Sequence, residues 1–124
     1  MSENQNVVRA FIEAFNANDL EQVMAHFSPD SVYHNMPVDP VSGVEAIRGV
    51  IQGFLGLASE VDWVVHNLAE TEGGAVLTER TDRFLIQGKW IELPVMGTFV
   101  VRDGKVVEWR DYFDMKQFQS QLPT

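Results

Sequence analysis

The chain has 124 residues, 45% hydrophobic and 22% charged, with a net charge of −9 and no cysteine. That length suits one domain, residues 1–124, with a core large enough to fold alone. The composition excludes disulfides, thiol nucleophiles and cysteine metal sites; no apolar run approaches the roughly 18 residues of a membrane span; and an acidic surface with dispersed basic residues argues against nucleic acid or an anionic membrane as a partner.

The opening MSENQNVVRA lacks the basic start and apolar stretch of a secretory signal, which with the missing cysteines fits a cytoplasmic location. Val7, Val8, Phe11, Ile12 and Phe15 recur at helical spacing and predict a first helix, ended by the turn NAND. Asn18 and Glu21 have capping-box spacing for a short second helix carrying Leu20, Val23, Met24 and Phe27. SPDS breaks that helix, and SVYHNM reads as a short strand. Ser42 and Glu45 repeat the capping-box spacing and predict a third helix with Val44, Ile47, Ile51, Phe54 and Leu55 on one face.

The remainder reads as strand. Residues 60–70 alternate around Val61, Trp63 and Val65, and EGG at 72–74 turns the chain into a strand over 75–86. QG at 87–88 starts the return through 90–101, and DG at 103–104 is a strong hairpin signal before KVVEWRDYFD. Residues 114–120 close as a short helix. Helices followed by a meander predict an α+β fold, with the N-terminal helices packed over a curved, mostly antiparallel mixed sheet that forms a cone with an internal pocket.

Three polar pairs stand out on otherwise apolar strand faces. Strand side chains alternate, so in TERTDRF Arg80 and Asp82 point the same way as Val76, Phe84 and Ile86. In VVEWRDYF, Asp111 shares a face with Val107, Trp109 and Phe113; in SVYHNM, Tyr33 and Asn35 share one. If the three faces line one pocket, it holds two carboxylates, a guanidinium, a phenol and an amide between apolar walls. Blander readings stand beside this one. Arg80 and Asp82 could be a plain ion pair, since i, i+2 positions lie about 6.5–7 Å apart along a strand. A slip of one residue would turn Asp111 outward and bury Arg110 and Tyr112 instead. Nothing else competes. His26, His34 and His66 show no ligand spacing, which argues against a metal. Neither a nucleophile elbow nor a glycine-rich phosphate loop is present, and no cofactor is expected. Met24, Met36, Met96 and Met115 read as filler at the walls.

Taken together and in this order, YHN, ERTDRF, LPVMGTF and WRDYFD resemble the limonene-1,2-epoxide hydrolase family. That family belongs to the cone-shaped α+β fold shared with nuclear transport factor 2, ketosteroid isomerase and the SnoaL-like cyclases. The likeness runs from residue 5 to about residue 118. It implies that Tyr33 and Asn35 hold a water, that Arg80 and Asp82 form the R-x-D motif and that Asp111 is the base of the W-R-D motif. It also implies a homodimer through the outer sheet face. The family's N-terminal extension over the pocket is expected to be reduced here, which would bear on closure and substrate size.

Opening an epoxide needs a nucleophile at carbon and a proton at the departing oxygen, and two carboxylates in different protonation states supply both. Asp111 is expected to be the ionised base on a water held with Tyr33 and Asn35, Asp82 the protonated acid, and Arg80 the bridge. The substrate is expected to be a small apolar epoxide. Candidate walls are Phe54, Trp63, Phe84, Trp109, Phe113 and Phe118, with Ile12 and Phe15 from the first helix, and each of these would serve equally as core. Two rivals share the fold: a ketosteroid-isomerase-like isomerase or polyketide cyclase, and a non-catalytic small-molecule binding module. An arginine between the carboxylates suits the hydrolase better than the isomerase, which stabilises an enolate with a tyrosine and a neutral acid.

Overall fold

In the computed structural model, which describes residues 2–123, the expected first helix spans Glu3–Asn16 (α1). Ser2 caps it, and its buried stripe is Val8, Phe11, Ile12, Ala14 and Phe15. A second helix, α2, covers Leu20–Met24. Its cap is Asp19, whose carboxylate accepts from the Gln22 amide, rather than Asn18. Asn18 instead takes a positive φ of 52° and donates its side-chain amide to the Ala58 carbonyl. Phe27 is not on this helix. It opens strand β1 (Phe27–Asn35), which takes in SPDS with a bulge, so the helix has already ended ahead of that segment and the strand begins earlier than Ser31.

Ser42 does not cap the third helix. It belongs to a two-residue strand, β2 (Val41–Ser42), paired with Val32 and Tyr33 of β1. Helix α3 (Val44–Leu55) starts after Gly43, whose φ of 89° turns the chain without a side-chain cap. Four strands follow: β3 (Glu60–Glu70), β4 (Val76–Ile86), β5 (Lys89–Arg102) and β6 (Lys105–Tyr112). The β4–β5 and β5–β6 turns place Gln87-Gly88 and Asp103-Gly104 at positive φ, the geometry that continues the twist of a hairpin. A short helix, α4 (Met115–Gln119), follows.

The six strands make one curved, unclosed mixed sheet in the order β2-β1-β6-β5-β4-β3. The meander β3 to β6 is antiparallel throughout, while β1 lies parallel to β6. This last pairing brings an N-terminal segment against the C-terminal strand. It sets Tyr33 beside Trp109 and Asn35 beside Asp111.

Helix α1 crosses the inner face of the sheet, where Phe15 stacks on Trp63 at 4.1 Å and Phe11 meets Trp109 edge-on at 5.0 Å. Aromatic rings therefore plug one part of the cone, and each such pair adds about 0.5–1.5 kcal/mol beyond its buried area. The rest of the inner face is left for the polar groups.

Candidate active site

The alternation read from TERTDRF is present: Val76, Thr78, Arg80, Asp82, Phe84 and Ile86 are all buried on the inner face of β4. Arg80 is 1% exposed, Asp82 4% and Asp111 3%, so three ionisable groups share a site nearly free of solvent. Burying them is costly unless each is paired and hydrogen-bonded.

Arg80 lies between the two carboxylates. Its Nε and Nη2 donate to Asp82 Oδ1 and Oδ2, each at 2.9 Å. Its Nη1 and Nη2 donate to Asp111 Oδ1 and Oδ2 at 3.2 and 2.8 Å. The remaining Nη1 proton goes to Thr78 Oγ1 at 3.0 Å. All five guanidinium N–H donors are used. The Asp82 contact is a bidentate fork within one strand, and the Asp111 contact reaches across the intervening strand β5. Arg80 also lies over the face of Trp63, with its Cζ 5.0 Å from the ring centroid.

The carboxylates are not equivalent. Among the described residues Asp82 accepts from Arg80 alone, whereas Asp111 also accepts from Trp109 Nε1 at 2.8 Å. Burial pushes the Asp82 carboxyl up to about 6, against the pull of Arg80 and with the Asp111 charge adding to the rise. Burial alone would lower Arg80, but the charges of Asp111 and Asp82 outweigh it and keep the guanidinium protonated. Burial and the Asp111 charge likewise hold the Tyr33 phenol well above its ordinary value, so Tyr33 is a neutral hydroxyl, with Asn35 as a neighbour. The inner face thus offers one carboxyl that favours its proton beside one supplied with three hydrogen-bond donors.

These groups face a cavity of about 130 Å³, partly open to solvent. Tyr33, Asn35, Asp82 and Asp111 form its polar wall. Of the expected apolar walls, Phe54, Trp63, Phe84, Phe113 and Phe118 line it. Ile12, Phe15 and Trp109 do not. They are buried in the core, because α1 packs flat on the sheet and its rings close over the Trp63 and Trp109 planes. Trp109 is held between Tyr33 and Phe99 with ring centroids at 4.1 and 5.6 Å, and it touches the site only through its indole N–H. Met115 lines the cavity, Met24 is core, and Met36 and Met96 are exposed.

Sequence reasoning missed Thr78 as an Arg80 partner and Leu93 and Val95 as walls. Alternation along IELPV would have given the last two, since β5 buries Ile91, Leu93 and Val95 on the same face.

Six strands curved under aromatic-studded helices, with a polar cluster in the hollow, define the cone-shaped α+β class expected above. Bal32a, from a soil-derived mobile gene cassette, has this fold, with a TM-score of 0.83 at 20% identity covering 98% of this chain and 97% of that one. The sequence model of the limonene-1,2-epoxide hydrolase catalytic domain matches residues 2–124, and the chain belongs to that family of enzymes. It is 35% identical over 109 residues to the epoxide hydrolase EphG of Mycobacterium tuberculosis (strain ATCC 25618 / H37Rv), covering 87% of this chain and 71% of that protein. It is also similar to the solved structure of an M. tuberculosis LEH-like epoxide hydrolase, with a TM-score of 0.82 and 32% identity over 97% of this chain and 89% of that one.

The raised Asp82 value has a consequence for stability. Its folded value of about 6 exceeds the ordinary 3.8, so the folded chain holds this proton more tightly than the unfolded chain does. That contribution is complete below about pH 4 and is lost as pH rises through about 6, a change of roughly 3 kcal/mol. Urea denaturation from pH 4 to 7 should show this decline in the native chain relative to Asp82→Asn. Parallel curves for the two proteins would place Asp82 at an ordinary value.

Proposed function

We propose that the chain adds water across a small apolar epoxide to give a vicinal diol in one step. A water held by Tyr33, Asn35 and Asp111 attacks an epoxide carbon while Asp111 takes its proton. The carbon–oxygen bond of the ring breaks as Asp82 delivers its proton to the departing oxygen. Arg80 keeps its charge and holds both carboxyls in place. The observation that carries this reading is the single guanidinium clamping two buried, unlike carboxyls on the wall of an apolar cavity.

The enclosed space is comparable to a cavity that takes up a benzene-sized molecule, about 150 Å³. The favoured substrates are therefore compact epoxides with any tail directed to the open side. Incubation with a panel of cyclic and linear epoxides, followed by chiral chromatography of diols, is the direct test. Absence of diol from every member would reject the reading.

Asp111→Asn and Asp82→Asn should each lower diol formation by roughly 10²-fold or more, since each removes one proton-transfer partner. The double variant should lose far less than the product of the two losses, because the groups act as a unit. The acid works protonated, and its protonated fraction falls as pH rises through about 6, so kcat/KM should fall above that pH. Asp82→Asn should abolish that limb. Fully active single variants would remove both assignments.

One-step attack makes a further claim about the oxygen. A single turnover in ¹⁸O-labelled water with enzyme in excess should put label in the first diol and none in the peptide containing Asp111. An unlabelled first diol with a labelled peptide would mean a covalent ester and a two-step route.

The same reading includes a homodimer. Val64, Leu77, Met96 and Tyr112 are exposed on the outer sheet face, with Met96 and Tyr112 paired across β5 and β6. Such a patch is what a self-complementary interface would cover. Sedimentation should give a dimer for the native chain and a monomer for Met96→Glu. A monomeric native chain would overturn this part.

A further inference from the structure

The contact between Arg80 and Asp111 poses a geometric problem. Arg80 is on β4 and Asp111 on β6, and β5 runs between them. The two outer strands are about 9.6 Å apart, twice the usual strand spacing. Any side chain on the intervening inner face of β5 stands in the way. That face is Ile91, Leu93, Val95, Gly97 and Phe99, all of them buried. Four carry bulky apolar groups and Gly97 carries none.

The register shows why the gap falls at that position. Gly97 pairs with Thr78 on one side and with Asp111 on the other. Arg80 Nη1 donates to both of these neighbours, so the guanidinium lies directly over the Gly97 Cα. A Cβ at Gly97 would come to 2.4 Å from Arg80 Nη1, 2.4 Å from Asp111 Oδ1 and 3.2 Å from Thr78 Oγ1. Heavy atoms do not approach to 2.4 Å without a bond, so something must move. The methyl would press against both ends of the Nη1 to Oδ1 hydrogen bond at once. Gly97 has no positive φ that would explain a glycine by backbone conformation. Glycine in a strand interior is otherwise unfavourable, and its usual reason is a close approach from elsewhere.

We propose that Gly97 is the positioning residue for the proposed hydrolysis: the missing side chain is the opening through which Arg80 reaches Asp111 and aligns base with acid. This rests on the hydrolase reading for its catalytic meaning, while the steric relation stands on geometry alone. Gly97 touches neither water nor substrate and acts through Arg80 and Asp111. In Gly97→Ala the groups that yield are side-chain ends, so the strand stays paired and the bridge opens. Asp111 faces Arg80 and Asp82 of β4 and Tyr33 of β1.

Two measurements on the full chain test this. Kinetics of Gly97→Ala should show kcat lower by roughly 10²-fold, the scale of a displaced acid–base group. KM should change little, which separates a displaced acid–base group from a lost binding contact. Val106→Ala, a buried β6 position outside the site, serves as a control for lost packing and should keep kcat near the native value. Wild-type kinetics in Gly97→Ala would overturn the proposal.

The second measurement is thermal. Gly97→Ala should lower Tm in the native chain and cost far less in Arg80→Met/Asp111→Ala, where the two atoms that the methyl meets most closely are gone and only the Thr78 hydroxyl remains beside it. If Gly97→Ala fails to fold alone, folding restored in that background supports the proposal. An equal Tm loss in both backgrounds, or failure to fold in both, overturns it. This coupling needs no turnover, so a clear coupling without any diol from the native chain would remove the hydrolase reading and leave the steric role of Gly97 in place.

Discussion

One guanidinium shared by two buried carboxyls is the constraint on which the rest of this structure depends. Several kcal/mol are lost in taking each such ion from water, and a buried pair rarely recovers more than it loses. The cluster is therefore poorly explained as a source of stability. It persists because every donor on Arg80 has an acceptor and because Arg80 itself is almost wholly screened from solvent. A half-satisfied version would be worse than a plain apolar core. Thr78 and Trp109 complete the set: one takes the last Arg80 proton and the other supplies Asp111 with its third donor.

Charge balance links this arrangement to the proposed chemistry. In the proposed reaction Arg80 is the cation, Asp111 the charged base and Asp82 the neutral acid, so the cluster starts neutral. Once water has added, Asp111 would hold the proton and Asp82 would carry the charge, and the cluster would be neutral again. The proposed cycle would therefore begin and end without net charge in the pocket, and moving one proton from Asp111 to Asp82 would reset it. Arg80 contacts both oxygens of each carboxyl, so it supports either distribution of the proton with little movement. A lysine in its place would present a point charge and could not bind two carboxyls in a plane.

Much of this was legible in the chain because strand periodicity is a strong signal. Arg80 and Asp82 share a face by spacing alone, and Gln87-Gly88 and Asp103-Gly104 mark hairpins that fix the antiparallel register of three strands. The parallel pairing of β1 with β6 carries no local signal. It joins segments some 75 residues apart, and the placement of Tyr33 and Asn35 beside Trp109 and Asp111 follows from that pairing. Helix caps misled by one residue because Asn18 and Asp19 are both good caps, and only the positive φ at Asn18 separates them. Core and pocket wall also could not be told apart by residue type: Phe15 and Phe54 are both large apolar helix residues, yet α1 presses flat on the sheet and α3 stands beside the opening.

The cone explains why a cluster of this kind can be built at all. A flat sheet would direct Tyr33, Asp111 and Asp82 along nearly parallel lines, too far apart to act on one small molecule. Curvature turns the inner faces of β1, β6 and β4 toward a common point, and the same curvature makes the intervening strand β5 crowd the centre. Large side chains on β5 fill the hollow at Leu93 and Val95, where apolar wall is needed, and at Phe99, where the core begins. Between the last two the strand carries Gly97, and the polar bridge occupies the volume that a side chain would have taken. The fold thus sets how near the two carboxyls come, and the pattern of bulk along a single strand sets whether an arginine can join them.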